Sequence, residues 1–186
     1  MKLVSFSRLG KARFGAVVKE GVIDLTGKLD PDVNTIKELI SLHMEDQAEE
    51  FIVGKNKDLS FSDIIFLPVI PDPEKIMCVG LNYVEHKKET GRPDVDNPTI
   101  FTRFADSQVA HMQPMIKPDN SDRFDYEAEM AIIIGKGGRF ISEDEALNHI
   151  AGYACYNDGS IRNYQRHTRN THQVKRFQVQ LSLIHI

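Results

Sequence analysis

The segment at residues 124–135, with the sequence FDYEAEMAIIIG, constrains the fold most strongly. It ends in an apolar run rich in β-branched residues, which is the composition of a buried strand. Two acids, Glu127 and Glu129, stand just before this run at positions i and i+2. Because alternate side chains of a strand point to the same face, we expect both carboxylates to face the same way. A divalent cation would offset their repulsion, but an isolated E-x-E pair is common and favours the solvated face of an edge strand.

The composition is that of an ordinary globular protein, since 27% of the 186 residues are charged and 41% are apolar. A net charge of −4 gives no electrostatic reason to expect a nucleic acid or a membrane surface as partner. The N-terminus lacks the pattern of a signal peptide, and Cys78 and Cys155 are too far apart for a C-x-x-C motif. We therefore expect a cytoplasmic protein with free thiols.

Three prolines at positions 68, 71 and 73 predict a stiff connector and a domain boundary near residue 70. Residues 1–70 would form a small β-rich N-terminal domain, and residues 71–174 the first part of a second domain. Strands and helices are mixed without strict βαβ alternation, which predicts the α+β class. The predicted strands are Lys2–Phe6, Arg13–Lys19, Gly21–Leu25, Lys75–Gly80 and Thr99–Arg103, and the predicted helices are Thr35–Leu42, capped at Asn34, and Glu45–Val53.

A second strand is predicted to end next to a third acid. Ser142 and Glu145 have the spacing of a capping box, which predicts an α-helix through about Ile150. The chain then returns as a strand over Ala151–Tyr156 and delivers Asp158 just beyond it. This order suggests that Asp158 lies near the two glutamates.

Glu127, Glu129 and Asp158 are therefore candidate metal ligands. Three convergent carboxylates suit a hard divalent cation such as Mg²⁺, Mn²⁺ or Ca²⁺, and they leave room for water and a bidentate substrate. Asn-Asp-Gly is also turn chemistry, so Asp158 taken alone is more typical of a turn.

Two further pairs of residues are spaced three apart. His86 and Glu89 have the spacing of one helical face, where they could act as a general base and its orienting acid. A solvated helix pair is the commoner origin of that pattern. Arg162 and Gln165 could grip a carboxylate and a carbonyl oxygen, or they could lie on a surface helix.

Taken together, these segments resemble the fumarylacetoacetate hydrolase family over about residues 72–170. Each motif is short, but they recur in the family's order and approximate spacing. The N-terminal unit resembles the small leading domain of the longer bacterial members. The motifs that carry the resemblance are VGLNY at 79–83 with His86 and Glu89, DYEAE at 125–129, IIIG at 132–135, AGY at 151–153, and NDGSIR at 157–162 followed by Gln165.

The resemblance implies a mixed β-sandwich roll, a homodimer, and a small 2-oxo or β-diketo acid as substrate. The implied reaction is hydrolysis of a carbon–carbon bond through a metal-stabilised enolate, and a decarboxylase or an isomerase would use the same chemistry. It also implies a role for each candidate residue: Glu127, Glu129 and Asp158 bind Mg²⁺ or Mn²⁺, His86 and Glu89 on a lid segment activate a water, and Arg162 and Gln165 contact substrate.

The chain departs from the family pattern after Gln165. The family continues with a glycine–lysine turn whose lysine reaches the site; Lys175 is a candidate for that lysine, although the preceding glycine is missing. The last six residues, LSLIHI, match the peptide encoded by a transposon end used in sequencing libraries. We therefore expect residues 175–186 to be a non-native tail and the fold to be incomplete at the C-terminus. Such a chain would be insoluble or molten and inactive, so the alternative to an enzyme is an inactive fragment or a non-catalytic binding module.

Overall fold

The computed structural model describes residues 1–84, 88, 97–165 and 179–185. The N-terminal part is a set of antiparallel strands with two short helices, and the strands and helices predicted there are confirmed. Its elements are β1 (Lys2–Arg8), β2 (Lys11–Val18), β3 (Gly21–Asp24), α1 (Ile36–Ser41), α2 (Glu45–Ile52), β4 (Leu59–Ser60) and β5 (Ile65–Phe66).

The rest of the described chain consists mainly of strands. The two strands predicted between residues 71 and 104 are confirmed, and so is the strand predicted before Asp158. The elements are β6 (Ile76–Gly80), β7 (Thr99–Arg103), β8 (Gln108–Val109), β9 (Phe124–Asp125), β10 (Ala128–Ile134), β11 (Ile150–Asn157), β12 (Ser160–Ile161), α3 (Arg162–Gln165) and β13 (Val179–His185).

One large curled sheet connects the two parts of the chain. Its strand order is β10–β11–β13–β1–β2–β3–β4, with β5 paired to β1 and β8 paired to β13. β13 pairs in antiparallel fashion with both β1 and β11. Separate two-stranded antiparallel pairs are formed by β6 with β7 and by β9 with β12. Among the strands that the structure describes, β10 is therefore an edge of the main sheet.

The main hydrophobic core fills the N-terminal part and extends onto β10 and β11. Leu3, Phe14 and Leu39 are fully buried at its centre, and Ala154 of β11 belongs to the same cluster. Ile133 of β10 packs against it. The stretches on either side of the predicted boundary near residue 70 thus share a core. The division into domains, including the tail at residues 175–186, stays a prediction.

Two helix starts differ from the sequence-based expectation. Thr35, and not Asn34, caps α1, since its hydroxyl accepts a hydrogen bond from the Glu38 backbone N–H at 3.1 Å. The expected α-helix after Ser142 is a 3₁₀ helix over Glu143–His149, and the Ser142 side chain makes no capping hydrogen bond. Positions 143–148 are all exposed. With no apolar face to bury, this segment lacks the tertiary packing that stabilises most α-helices in proteins.

The architecture is of the α+β class, as predicted, with strands predominating over short helices. None of the helices in the described part of the chain has the length and apolar character needed to cross a membrane. The fold places the strand that follows Glu127 beside the strand that precedes Asp158.

Candidate functional site

The candidate carboxylates lie where β10 and β11 pair. Glu129 is directly opposite Tyr156 in the antiparallel register. Just beyond the paired residues, the Asp158 backbone N–H donates to the Glu127 carbonyl at 2.8 Å. Opposed residues of an antiparallel pair share a face, and so do residues two apart on one strand. We call the surface formed by Glu127, Glu129, Tyr156 and Asp158 the acid face.

Burial along β10 shows which side of the sheet the acid face occupies. Glu127 and Glu129 are half-buried, as is Ile133, which lies on the same face and packs against the main core. Met130, on the opposite face, is 59% exposed. The acid face is therefore the core-facing side of this edge strand, and not the solvated side that an isolated E-x-E pattern favours.

Both oxygens of the Glu127 carboxylate have partners. Oε1 lies 2.7 Å from Nη1 of Arg162, and Oε2 accepts a hydrogen bond from the Ser160 hydroxyl at 2.9 Å. The Glu127 backbone N–H also donates to the Asn157 side-chain oxygen at 3.1 Å. These contacts come from both sides of the turn after β11, and they fix the direction of the carboxylate.

Arg162, at the start of α3, connects several polar groups. Its Nε and Nη2 both lie 2.9 Å from one oxygen of Asp125, and Nη1 donates to the Gln165 side-chain oxygen at 3.1 Å. Burial acts to lower the pKa of Arg162, but the charges of Glu127 and Asp125 outweigh it and raise that pKa. Arg162 therefore stays cationic beside the acid face.

A second guanidinium neutralises Asp158. Arg103, the last residue of β7, is 3% exposed; its Nε bonds the Asp158 carboxylate and its Nη2 donates to the Gly159 carbonyl at 2.9 Å. The sequence analysis did not identify Arg103. A signal was present, because the strand predicted over Thr99–Arg103 places Arg103 on the same face as the apolar Phe101.

Two tyrosines lie beside Glu129. The Tyr83 hydroxyl hydrogen-bonds the Glu129 carboxylate, and burial together with that negative charge raises the pKa of Tyr83. Tyr156, opposite Glu129, has a hydroxyl that is shielded from solvent and has no hydrogen-bond partner in the described part of the chain. Burial is the main cause that raises the pKa of Tyr156. Neither tyrosine was singled out for a role from the sequence.

The structure brings only some of the candidate residues together. The three acids share one face, and Arg162 and Gln165 adjoin it through Glu127. His86, Glu89 and Lys175 lie outside the described residues. Within the described ranges, no group of three or more His, Cys, Asp or Glu side chains is arranged to hold a metal ion. The assignment of metal ligands, catalytic residues and substrate contacts therefore stays a prediction.

The sequence of the chain matches a known family. Residues 75–183 match the family model described as Fumarylacetoacetate (FAA) hydrolase C-terminal. The chain belongs to the fumarylacetoacetate hydrolase family, which confirms the resemblance drawn from its motifs.

Similar proteins include two named as oxaloacetate tautomerases. Oxaloacetate tautomerase fahd2, mitochondrial, from Xenopus laevis is 36% identical over 172 residues, which cover 89% of this chain and 54% of that protein. Oxaloacetate tautomerase FAHD2A, mitochondrial, from Homo sapiens is 39% identical over 104 residues, which cover 56% of this chain and 33% of that protein. The chain thus spans about half the length of the first relative.

Solved structures share the fold. A fumarylacetoacetate hydrolase from psychrophilic Exiguobacterium antarcticum superposes with a TM-score of 0.76 at 28% identity, covering 94% of this chain and 61% of that one. A maleylpyruvate hydrolase from Sphingobium sp. SYK-6, in complex with manganese (II) ion and pyruvate, gives a TM-score of 0.73 at 23% identity, covering 96% of this chain and 65% of that one. The second likeness shows the fold alone.

Proposed function

We propose that the protein is a divalent-metal-dependent enzyme that acts on a small 2-oxo acid through its enolate. The proposed reaction is hydrolysis of a carbon–carbon bond in a 2-oxo or β-diketo acid. The observation that carries the proposal is the acid face, where three carboxylates share the core-facing side of a strand pair. Arginines already balance Glu127 and Asp158, and a cation at this face would bring further positive charge to the three acids.

The side chains of the acid face fit a hard cation. Glu127, Glu129 and Asp158 offer only oxygen ligands, which Mg²⁺, Mn²⁺ and Ca²⁺ take in proteins. When bound, a divalent cation would supply a Lewis acid that stabilises negative charge on the oxygens of a 2-oxo acid.

In this proposal Arg162 orients Glu127, one of the proposed metal ligands, and also binds the substrate. Its Nε and Nη2 are held by Asp125, while Nη1 lies between Glu127 at 2.7 Å and Gln165 at 3.1 Å. The guanidinium thereby keeps Glu127 directed across the acid face. A substrate carboxylate would bind at the edge that Arg162 shares with Gln165, where the positive charge and the amide are close together.

Proton transfer is assigned to residues that the structure does not describe. We propose that His86, oriented by Glu89, takes the proton from water or from a substrate carbon, because imidazole titrates near neutral pH. Lys175 is proposed to reach the site as a further cation. These three roles rest on the family resemblance of the sequence.

Keto–enol tautomerisation of oxaloacetate is the second candidate reaction. Relatives at 36% and 39% identity carry that activity in their names. Hydrolysis and tautomerisation both pass through an enolate, so one acid face would serve either. Those names also place the relatives in mitochondria, so the expected cytoplasmic location remains a proposal, as does the homodimer.

Manganese binding tests the acid face directly. The 186-residue chain is titrated with Mn²⁺, and free Mn²⁺ is followed by electron paramagnetic resonance. We expect Glu127→Ala to weaken Mn²⁺ binding on the order of 100-fold or more, because it removes the ligand carboxylate that Arg162 and Ser160 orient. Glu143→Ala, at an exposed position in the 3₁₀ helix, serves as the matched control and should bind like the unsubstituted chain. Full Mn²⁺ affinity in Glu127→Ala would rule out the metal assignment.

Turnover separates the candidate reactions. Acylpyruvate cleavage and oxaloacetate keto–enol interconversion are each followed by ultraviolet absorbance with Mn²⁺ present. Cleavage supports the hydrolase, and interconversion without cleavage supports the tautomerase. Manganese binding with neither activity would instead support the non-catalytic binding module.

A further inference from the structure

Tyr156 is a buried polar side chain to which the proposed function gives no specific task. Its ring packs against the main core. Its hydroxyl is shielded from solvent and has no hydrogen-bond partner in the part of the chain that the structure describes. A buried tyrosine hydroxyl normally finds a partner, because leaving the bond unmade forfeits the hydration of the group.

The position of Tyr156 places this hydroxyl beside the acids. Tyr156 is directly opposite Glu129 and two residues before Asp158, so the three side chains share a face. The hydroxyl is shielded from solvent, and Arg103 bonds the carboxylate of the neighbouring Asp158. It is therefore a polar group inside a charged environment, at the inner side of the acid face.

We propose that Tyr156 is a ligand-binding residue whose hydroxyl donates a hydrogen bond to an oxygen of a small 2-oxo acid or dicarboxylate bound at the acid face. This inference rests on the proposed function and adds a contact to the substrate. A hydroxyl can donate one hydrogen bond, and an anionic oxygen is the acceptor that gains most from it.

The direction of the hydrogen bond follows from the protonation state. A phenol ordinarily has a pKa of about 10, so its hydroxyl keeps the proton at neutral pH and acts as a donor. Phenylalanine at this position would keep the ring packing and remove only the donor. A role limited to packing would therefore leave ligand affinity unchanged in that variant.

The test compares Tyr156→Phe with Tyr153→Phe in the 186-residue chain. Tyr153 lies on the same strand but on its opposite, exposed side, so it is the matched control. Mn²⁺ affinity is measured first, and oxalate, a planar dicarboxylate, is then titrated into the Mn²⁺-loaded protein by calorimetry. We expect Tyr156→Phe to keep Mn²⁺ affinity within about threefold and to lose about tenfold in oxalate affinity, the usual effect of one hydrogen bond. Its Tm should not fall, since the ring packing is kept, and Tyr153→Phe should leave both affinities unchanged.

The possible outcomes separate the two proposals. Equal oxalate affinity in Tyr156→Phe and the unsubstituted chain overturns the role of Tyr156 and leaves the metal site standing. Parallel loss of Mn²⁺ and oxalate affinity also overturns it, because the hydroxyl would then act on the cation. If the unsubstituted chain binds no Mn²⁺, the proposed function fails, and the Tyr156 inference fails with it.

Discussion

At the scale of single residues, the charge balance of the acid face depends on two arginines in different surroundings. Arg162 is partly exposed and joins Asp125, Glu127 and Gln165. Arg103 is almost fully buried, as is its partner Asp158. A buried ion pair gains little net stability over apolar residues, but removing one partner leaves an uncompensated charge in the interior. The two arginines are therefore expected to respond differently to substitution.

Arg103→Leu is expected to lower the free energy of unfolding by about 3–5 kcal/mol, because it strands the Asp158 carboxylate away from water. The control is Lys28→Met, which breaks the ion pair between Lys28 and Asp58 at 2.8 Å, where each side chain is 42% exposed. That change should cost less than about 1 kcal/mol. Urea unfolding followed by circular dichroism measures both. Equal losses in the two variants would contradict the buried character of the Arg103 pair.

At the scale of elements, the pair of β10 and β11 has features that the sequence could predict and others that it could not. The apolar β-branched run identified β10, and the i, i+2 spacing placed Glu127 and Glu129 on one face. The register sets Glu129 opposite Tyr156, and the Asp158 backbone N–H bonds the Glu127 carbonyl next to that pair. The side of the sheet could not be deduced. Residues 130–134 are apolar on both faces, so alternation gives no contrast, and only the packing of Ala131 and Ile133 on the core separates the faces. The pairing of Arg103 with Asp158 was not predicted, because the two residues are 55 positions apart in the sequence.

A lysine should therefore destabilise the protein much more on one face of β10 than on the other. Ile133→Lys places a charge against the main core and is expected to cost about 2–4 kcal/mol of unfolding free energy. Ile132→Lys, on the exposed face, should change it by no more than about 0.5 kcal/mol. Urea denaturation of both variants checks this. A larger loss for Ile132→Lys than for Ile133→Lys would reverse the assignment of the faces.

At the scale of the whole molecule, apolar side chains remain exposed on both strand pairs outside the N-terminal part. β6 and β7 expose Val79 opposite Ile100, and β10 and β11 expose Ile132 opposite Tyr153. Contiguous exposed apolar surface of this kind marks an interface or a place of aggregation. This exposed surface predicts that the chain self-associates.

Self-association through the exposed face of β10 is the measurable consequence. Sedimentation velocity of the 186-residue chain should show species larger than a monomer, because burying apolar area in water is favourable at about 25 cal/mol per Å². The double variant Met130→Lys with Ile132→Lys should shift the distribution toward monomer, since charges on an edge strand oppose pairing. Leu9→Lys is the control, because Leu9 is 94% exposed in the turn between β1 and β2, far along the sheet from β10. A monomeric unsubstituted chain with a cooperative thermal transition would contradict this prediction and the expectation of a molten chain together.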